Sequence, residues 1–234
     1  MLGAFDGRKM VGVLFGFTAV DGKKPYHYSH ITGVARQYQS SGVGFKLKLA
    51  QRRHVIGTGQ DLVKWTYDPL QAGNASFNIR KLGTICRTYK RNFYGVLDDS
   101  LNRGRLTDRF EVEWWVKSRH VKDRILGKSK PSPLSEIMDE GAQLANETEK
   151  MGKGNRRAVL ARLGLTSRRI LVEIPESIVK VREESLDAAK GWTMNVRRIF
   201  ENYFRRGYVV VDVLTEKGHG ERRVFYLLGS NFRF

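Results

Sequence analysis

Residues 39–44, Gln-Ser-Ser-Gly-Val-Gly, form a segment whose residue types and position favour binding of an anion. They follow an apolar strand end at residues 31–34 and precede a stretch with helical spacing of apolar residues. The first amides of a helix have no partner within it, and the helix dipole adds partial positive charge there. Gly42 and Gly44 carry no Cβ atom that would hold a phosphate at a distance. The segment therefore predicts either a phosphate-binding turn or an ordinary strand-to-helix turn. The predicted helix is amphipathic, with Val43, Leu47, Ala50 and His54 on one stripe at helical spacing.

Two other kinds of phosphate site fit this segment poorly. A dinucleotide-binding turn needs a third glycine where this chain has Leu47, and an acidic ribose ligand at the end of the next strand. A nucleoside triphosphatase needs a Lys-Ser or Lys-Thr pair after its glycines, and none follows here.

Composition limits the class of protein. The 234 residues suffice for one large or two small domains, and the 41% of apolar residues predict a folded chain. Cys86 is the only cysteine, which excludes an internal disulfide and favours a reducing compartment. No stretch approaches the ~18 apolar residues of a membrane span, and the first residues lack a signal-peptide core. We expect a cytoplasmic protein without a membrane partner.

The formal net charge of +18 is spread over both halves of the chain. Such an excess favours polyanionic partners (nucleic acid, an anionic membrane face or phosphorylated small molecules) or reflects a merely basic solvated surface. The sequence has neither a zinc-ligand spacing nor an aromatic nucleic-acid signature. We therefore expect no metal and do not expect nucleic acid as the main partner.

Apolar periodicity predicts the order β-β-β-α-β-α-β-β in the first half of the chain. The predicted strands are 2–5, 10–18, 26–34, 61–67, 84–89 and 110–116, and the helices are 43–56 and 73–82. Linker-like residues occupy 127–133 and 152–157. The later predicted elements are a strand at 170–174, a helix at 175–206 and a hairpin of 208–214 with 223–228. This pattern predicts an α/β protein with domains 1–118 and 119–234, the second packed on the first or extending its sheet.

Several segments together resemble one branch of the GNAT superfamily of N-acetyltransferases, whose members carry a C-terminal extension. The resemblance covers about residues 3 to 229. The matching segments are Gln39–Gly44, Tyr26–His30, Trp65–Leu70, Asn74–Asn78, Lys81–Gly83, Asn92–Gly95, Asp108–Phe110, Glu113–Trp114, Glu173–Pro175 and Arg206–Val209. It implies a mixed central sheet with flanking helices and acetyl-coenzyme A as co-substrate, with no metal.

The resemblance also implies roles for individual residues. The backbone of Thr32, Gly33 and Val34 would pair with the pantetheine arm, and an amide there would polarise the acetyl carbonyl. Main-chain amides of Gln39, Ser40, Ser41, Gly42, Val43 and Gly44 would hold the pyrophosphate. Asn74 would touch the pantetheine arm, or it is simply a helix cap.

This chain departs from the family pattern in two respects. The position of the tyrosine that protonates the departing thiolate in many members is Ile79, which cannot donate a proton. Asn78, Tyr89, Tyr94 or water would have to substitute. The usual first strand and two helices are absent, so we expect that the chain starts downstream of its natural start, or that the C-terminal unit or another subunit walls the acceptor site.

Candidate general bases lie on strands beside the expected cleft. His30 and Tyr28 share one strand face, as do Glu111 and Glu113, because side chains alternate with a period of two. Imidazole takes up protons near neutral pH, and Glu113 would act through water. Each of them is alternatively an ordinary structural polar residue. Cys86 is expected to be a buried small apolar residue.

The resemblance implies direct transfer of an acetyl group to a primary amine, with His30, Tyr28 and Glu113 as candidate catalytic residues. The alternative is a non-catalytic acetyltransferase fold that binds nucleic acid or senses coenzyme A. The sequence leaves the acceptor open, whether a small molecule or a peptide amine, and a homodimer is also left open.

Overall fold

The computed structural model describes residues 1–95, 106–130, 132–152, 154–218 and 220–232. Its first half follows the predicted order, with a short 3-10 turn at Arg36–Tyr38 added. The helix predicted at 73–82 consists of a short α-helix followed by a π-helical turn at Ser76–Lys81. The elements are β1 (Leu2–Asp6), β2 (Lys9–Asp21), β3 (Lys24–Val34), α1 (Val43–Gly57), β4 (Leu62–Tyr67), α2 (Ala72–Ala75), β5 (Ile85–Lys90) and β6 (Arg109–Trp115).

The second half holds more elements than the sequence predicted. The elements are α3 (Arg119–Ile125), α4 (Leu134–Asp139), β7 (Gln143–Leu144), β8 (Asn146–Lys150), β9 (Arg156–Ala161), β10 (Arg169–Ile174), α5 (Ile178–Glu184), α6 (Leu186–Arg205), β11 (Val209–Gly218) and β12 (Glu221–Gly229). Two predictions were wrong. Residues 156 and 157 of the predicted linker begin β9, and the single helix over 175–206 is broken at Ser185. Ser185 is extended (φ −158°), and its hydroxyl accepts the Ala188 amide as the N-cap of α6.

Ten strands form one mixed sheet in the order β1-β2-β3-β4-β6-β5-β11-β12-β10-β7, and β8 pairs with β9 separately. The β3–β4 and β10–β7 pairs are parallel. Parallel neighbours require a crossover, and α1 provides it between β3 and β4. None of the helices in the described ranges is both long and apolar enough to cross a membrane.

By its contacts the chain divides into two compact units, of which the first comprises Met1–Trp65 and Glu113–Lys122. The indole of Trp65 meets that of Trp114 edge to face, 5.9 Å between ring centroids. The helix α1 buries the face Leu47, Lys48, Gln51 and Val55. Of the predicted stripe, Leu47 is buried and Val43 lies against Gly12 of β2, whereas Ala50 is only half-buried and His54 is exposed, so the prediction was wrong at these last two positions. The helix is rotated by about one position, and this brings a lysine into the core.

The second unit comprises Thr66–Val112 and Asp123–Phe234. Phe110 occupies the middle of its aromatic core, 4.6 Å from Phe200, 5.3 Å from Tyr226 and 5.9 Å from Tyr67 between ring centroids. The buried face of α6 agrees with its predicted apolar positions, among them Trp192, Val196, Phe200 and Tyr203. Residues 66–112, which the sequence assigned to the acetyltransferase core, group with the C-terminal residues by contacts. The predicted division into domains 1–118 and 119–234, the second packed on the first or extending its sheet, stays a prediction.

Candidate functional site

The loop between β3 and α1 ends in a helix N-terminus without a side-chain cap. Gly42 is the N-cap residue in the left-handed region (φ 89°), and the first turn of α1 has no acidic residue. The Lys46 amide donates to the Gly42 carbonyl, so the earlier amides of Val43 and Gly44 belong to the open end of the helix. A Cβ atom on Gly42 would meet nothing within 4 Å, which leaves space above the helix end. This end of α1 fits an anionic group.

Side chains and amides at the start of the loop form hydrogen bonds to nearby backbone carbonyls and stabilise the conformation of the loop. Gln39 Nε2 donates to the Val34 carbonyl (3.1 Å), and the Ser41 hydroxyl donates to the Tyr38 carbonyl (2.6 Å). The main-chain amide of Gln39 donates to the Arg36 carbonyl, so it is already used within the 3-10 turn. Ser40, with φ 62°, makes the turn toward Gly42. The amides from Gly42 onward are therefore better placed for a ligand than that of Gln39.

β3 loses its β4 partner halfway along its length. In the described residues, β3 pairs with β4 only at His27–Val63 and Tyr28–Lys64, whereas its ladder with β2 continues to Val34. The β2–β3 register shifts between Phe15 and Gly16, so that His30 is the extra residue of a β-bulge. A bulge bends its strand and often ends pairing, which explains why β3 and β4 part after Tyr28.

The free edge of β3 presents alternate backbone groups. The Ala35 amide donates to the Val11 carbonyl on the β2 side. Because successive residues of a strand direct their backbone groups to opposite edges, Val34 and Thr32 direct theirs to the free edge and Gly33 directs its own to β2. Of the three residues predicted to pair with a ligand, two are thus oriented for it.

A buried polar cluster lies between β3 and α1. Lys48 Nζ donates to Ser29 Oγ (2.9 Å) and Gln51 Oε1 (3.2 Å) and stands 3.7 Å above the Trp65 ring. Burial without a carboxylate partner lowers the pKa of Lys48 to about 7. The pKa of the neighbouring His27 is also lowered, by burial and then by His54 and Lys48. The sequence analysis did not identify Lys48 as a buried residue. The available signal was its position directly after the apolar Leu47 in the predicted helix.

The predicted bases His30 and Tyr28 share one face of β3, as expected, with 6.3 Å between their ring centroids. Phe15 and Phe17 of β2 lie beside them. Glu113 accepts a hydrogen bond from Trp115 Nε1 (2.9 Å). Since Trp114 packs on Trp65 on the α1 side of the sheet, the alternation of side chains puts Glu113 on the opposite face.

Asn74 and Ile79 belong to the second unit. Gln71, not Asn74, is the N-cap of α2, so the interpretation of Asn74 as a cap was wrong; Asn74 is exposed within the helix. Ile79 is fully buried and Cys86 is buried, as expected for an apolar residue. The Tyr89 hydroxyl donates to Asp108 Oδ2 (2.7 Å), and its pKa is raised by burial and by that carboxylate.

Asp108 is the centre of an ion-pair network that sequence reasoning did not single out. Arg197 Nε and Nη2 bind its two oxygens, each at 2.7 Å, and the Asn92 amide donates at 3.0 Å. Burial opposes ionisation of Asp108, but the hydrogen bonds from Arg197, Asn92 and Tyr89 leave its pKa below the usual value. The network stabilises the second unit, and it includes Tyr89, which the sequence analysis named as a possible proton donor.

No family model matches this chain, and no curated protein sequence does either. Solved structures of GNAT acetyltransferases are similar in fold over about half of the chain. Naa20 of Chaetomium thermophilum, in complex with a bisubstrate analogue, shares 14% identity with a TM-score of 0.42, covering 51% of this chain and 69% of that one. The IAA acetyltransferase of Bacillus cereus shares 16% identity with a TM-score of 0.41, covering 47% and 73%. The ribosomal-protein-S18-alanine N-acetyltransferase of Escherichia coli shares 20% identity with a TM-score of 0.39, covering 49% and 66%.

Proposed function

We propose that this protein binds acetyl-coenzyme A and transfers the acetyl group directly to a primary amine. The observation that carries the proposal is the loss of the β4 partner by β3 at the His30 bulge, twelve residues before Gly42 at the open N-terminus of α1. A free strand edge can accept an extended chain that carries amides, and a helix N-terminus can accept phosphates. Both features lie in the first unit and are joined by one loop.

Different residues of this segment would bind different parts of the coenzyme. Thr32 and Val34 would pair with the amide-bearing arm, and the amides of Gly42, Val43 and Gly44 would hold the pyrophosphate. Ser40, Ser41 and Gln39 would shape the loop, the last two through their hydrogen bonds to backbone carbonyls. The coenzyme supplies an acyl group activated as a thioester. An amide on the free edge would stabilise negative charge on its oxygen.

The transfer requires a neutral amine and a protonated leaving group. His30, at the bulge, would take one proton from the ammonium group, after which the amine nitrogen forms a bond to the acyl carbon and the carbon–sulfur bond breaks. The second proton of the nitrogen ends on the departing sulfur, directly or through water. Ile79 cannot assist that step, and Tyr89 is bound to Asp108.

A second candidate function is binding of a polyanion by a fold without catalysis. It is favoured by the net charge and by a cavity of about 400 Å³ in the second unit, whose lining includes Arg87, Arg91 and Arg205. Glu201, on the same wall, forms an ion pair with Arg91, which removes part of that positive charge.

Calorimetry separates the two functions. The protein is titrated with acetyl-coenzyme A at physiological salt, and separately with duplex DNA and RNA at several salt concentrations. The proposal expects saturable coenzyme binding with a stoichiometry of one, and nucleic-acid binding that weakens steeply with salt. Absence of coenzyme binding together with salt-resistant nucleic-acid binding would establish the second function instead.

A further inference from the structure

Four rings form an exposed cluster on one face of the β2–β3 hairpin. Phe15, Phe17, Tyr28 and His30, here called the ring cluster, have neighbouring centroids between 5.6 and 6.3 Å apart. Phe15 and Phe17 keep 40% and 45% of their surface exposed. Apolar rings grouped in this way on an open surface indicate a binding site more often than scattered apolar residues do.

The opposite face of the hairpin is covered by α1. A Cβ atom on Gly12 would lie 3.0 Å from Val43 Cγ1 and 3.1 Å from Leu47 Cδ1, so the helix touches the strand there. Lys48 of the same helix bonds Ser29 on β3. Within this unit, a second substrate can therefore approach the free edge of β3 from the face that carries the ring cluster.

The ring cluster also lies where the free edge begins. His30 is both a member of the cluster and the bulge residue after which β3 has no β4 partner. Lys64, opposite Tyr28 on β4, has its charge engaged by Asp21 (3.2 Å) and by the Tyr26 ring (4.7 Å). The negative faces of the rings, together with Glu113 on the same face of the sheet, make this surface suitable for a cation.

We infer, building on the function proposed above, that the ring cluster binds the acceptor and selects primary amines carried on an apolar, preferably aromatic, body. The ammonium group would lie against the faces of Phe17 and Tyr28 beside His30, which takes its proton. The apolar body would stack on the remaining ring surface. A strongly hydrated acceptor, such as a polyol amine, gains neither contact.

The experiment compares two amines and three proteins after coenzyme binding has been measured by calorimetry. Thiol release from acetyl-coenzyme A is followed with 2-phenylethylamine and with ethanolamine, for the wild type, Phe17→Leu and Phe5→Leu. Leucine keeps an apolar side chain but removes the ring. Phe5 is an exposed phenylalanine of β1 outside the cluster and serves as the matched control. Binding of 2-phenylethylamine without coenzyme is measured by calorimetry as well.

We expect kcat/KM to be at least about tenfold higher for 2-phenylethylamine than for ethanolamine, and Phe17→Leu to lower it about two- to fivefold for the aromatic amine alone. Phe5→Leu should leave both values unchanged. Equal use of both amines, or equal effects of the two variants, overturns this inference while the proposed function stands. Absence of coenzyme binding overturns both. If the wild type is a dimer that Phe17→Leu dissociates, the cluster is an interface between copies and the inference is wrong.

Discussion

Lys48 Nζ donates a hydrogen bond of 2.9 Å to Ser29 Oγ, one residue before the bulge at which β3 separates from β4. The lysine is only 3% exposed, and no carboxylate of the described residues forms an ion pair with it. The contact thus fixes α1 to the point of β3 where the proposed coenzyme edge begins. It also places a titratable amine in the core of the first unit, and this has a consequence for stability.

Lys48→Met should make the protein more stable at neutral pH and change the pH dependence of that stability. The pKa of Lys48 falls from 10.5 to about 7 on folding. Between these values the unfolded chain binds the extra proton, so the wild type gains free energy of unfolding as pH rises from about 7 to 10.5, by about 5 kcal/mol in all. Urea unfolding at several pH values measures this.

The matched control for that measurement is Lys46→Met, an exposed lysine of the same helix. Relative to the wild type, Lys48→Met should show an advantage that is largest near pH 7 and shrinks as pH rises. Parallel curves for the wild type and Lys48→Met would show that Lys48 keeps its charge in the folded protein.

Gly42→Asp should weaken acetyl-coenzyme A binding at least about tenfold more than Gly42→Asn. Both side chains are tolerated in the left-handed conformation that residue 42 adopts, and they have nearly the same shape. They differ in charge, and the charge would stand at the open end of α1. Calorimetry of both variants gives the two dissociation constants, and equal values would place the phosphates elsewhere.

His30→Gln should lower kcat about 10²- to 10⁴-fold with little change in KM, because it removes the proposed base and leaves the Phe15, Phe17 and Tyr28 rings of the cluster in place. Thiol release at saturating amine measures kcat. Tyr28→Phe, which keeps the ring, should retain most of the activity. If Glu113→Gln loses activity and His30→Gln does not, the carboxylate acts as the base.

Arg197→Met should lower the free energy of unfolding by about 3–5 kcal/mol, because it leaves the buried carboxylate of Asp108 without its bidentate partner. The double variant with Asp108→Asn should recover much of that loss. Since the pKa of Asp108 is lowered on folding, its contribution is present at neutral pH and is lost as pH falls below 3.8. Arg91→Met, at an exposed ion pair with Glu201, should cost less than about 1 kcal/mol.

A chain that ends at Lys117 should aggregate or lose its near-UV circular dichroism. The truncation removes α6 and β12, and with them Phe200 and Tyr226, whose rings contact Phe110. The aromatic core of the second unit would then be exposed to solvent. A chain ending at Gly229 keeps these elements and should remain folded. A soluble, active 1–117 fragment would show that residues 119–234 are dispensable for folding and activity, and would contradict this prediction.

The sequence alone determined the succession of elements in the first half of the chain and the loop that precedes α1. These features depend on local periodicity and on glycines at positions 42 and 44, which are readable from a few neighbouring residues. The buried face of α6 was determined in the same way, because its apolar positions repeat clearly at helical spacing.

Only the tertiary structure decided which face of α1 is buried and how β3 meets its neighbours. Apolar residues are spread around α1, so its rotation depends on β2 and β3, and the core accepted Lys48 and Gln51 in place of Ala50 and His54. The bulge at His30 is a property of the pairing register with β2, which no single strand encodes. Strand pairing joins residues far apart in sequence, and local sequence patterns do not specify which strands pair or in which register.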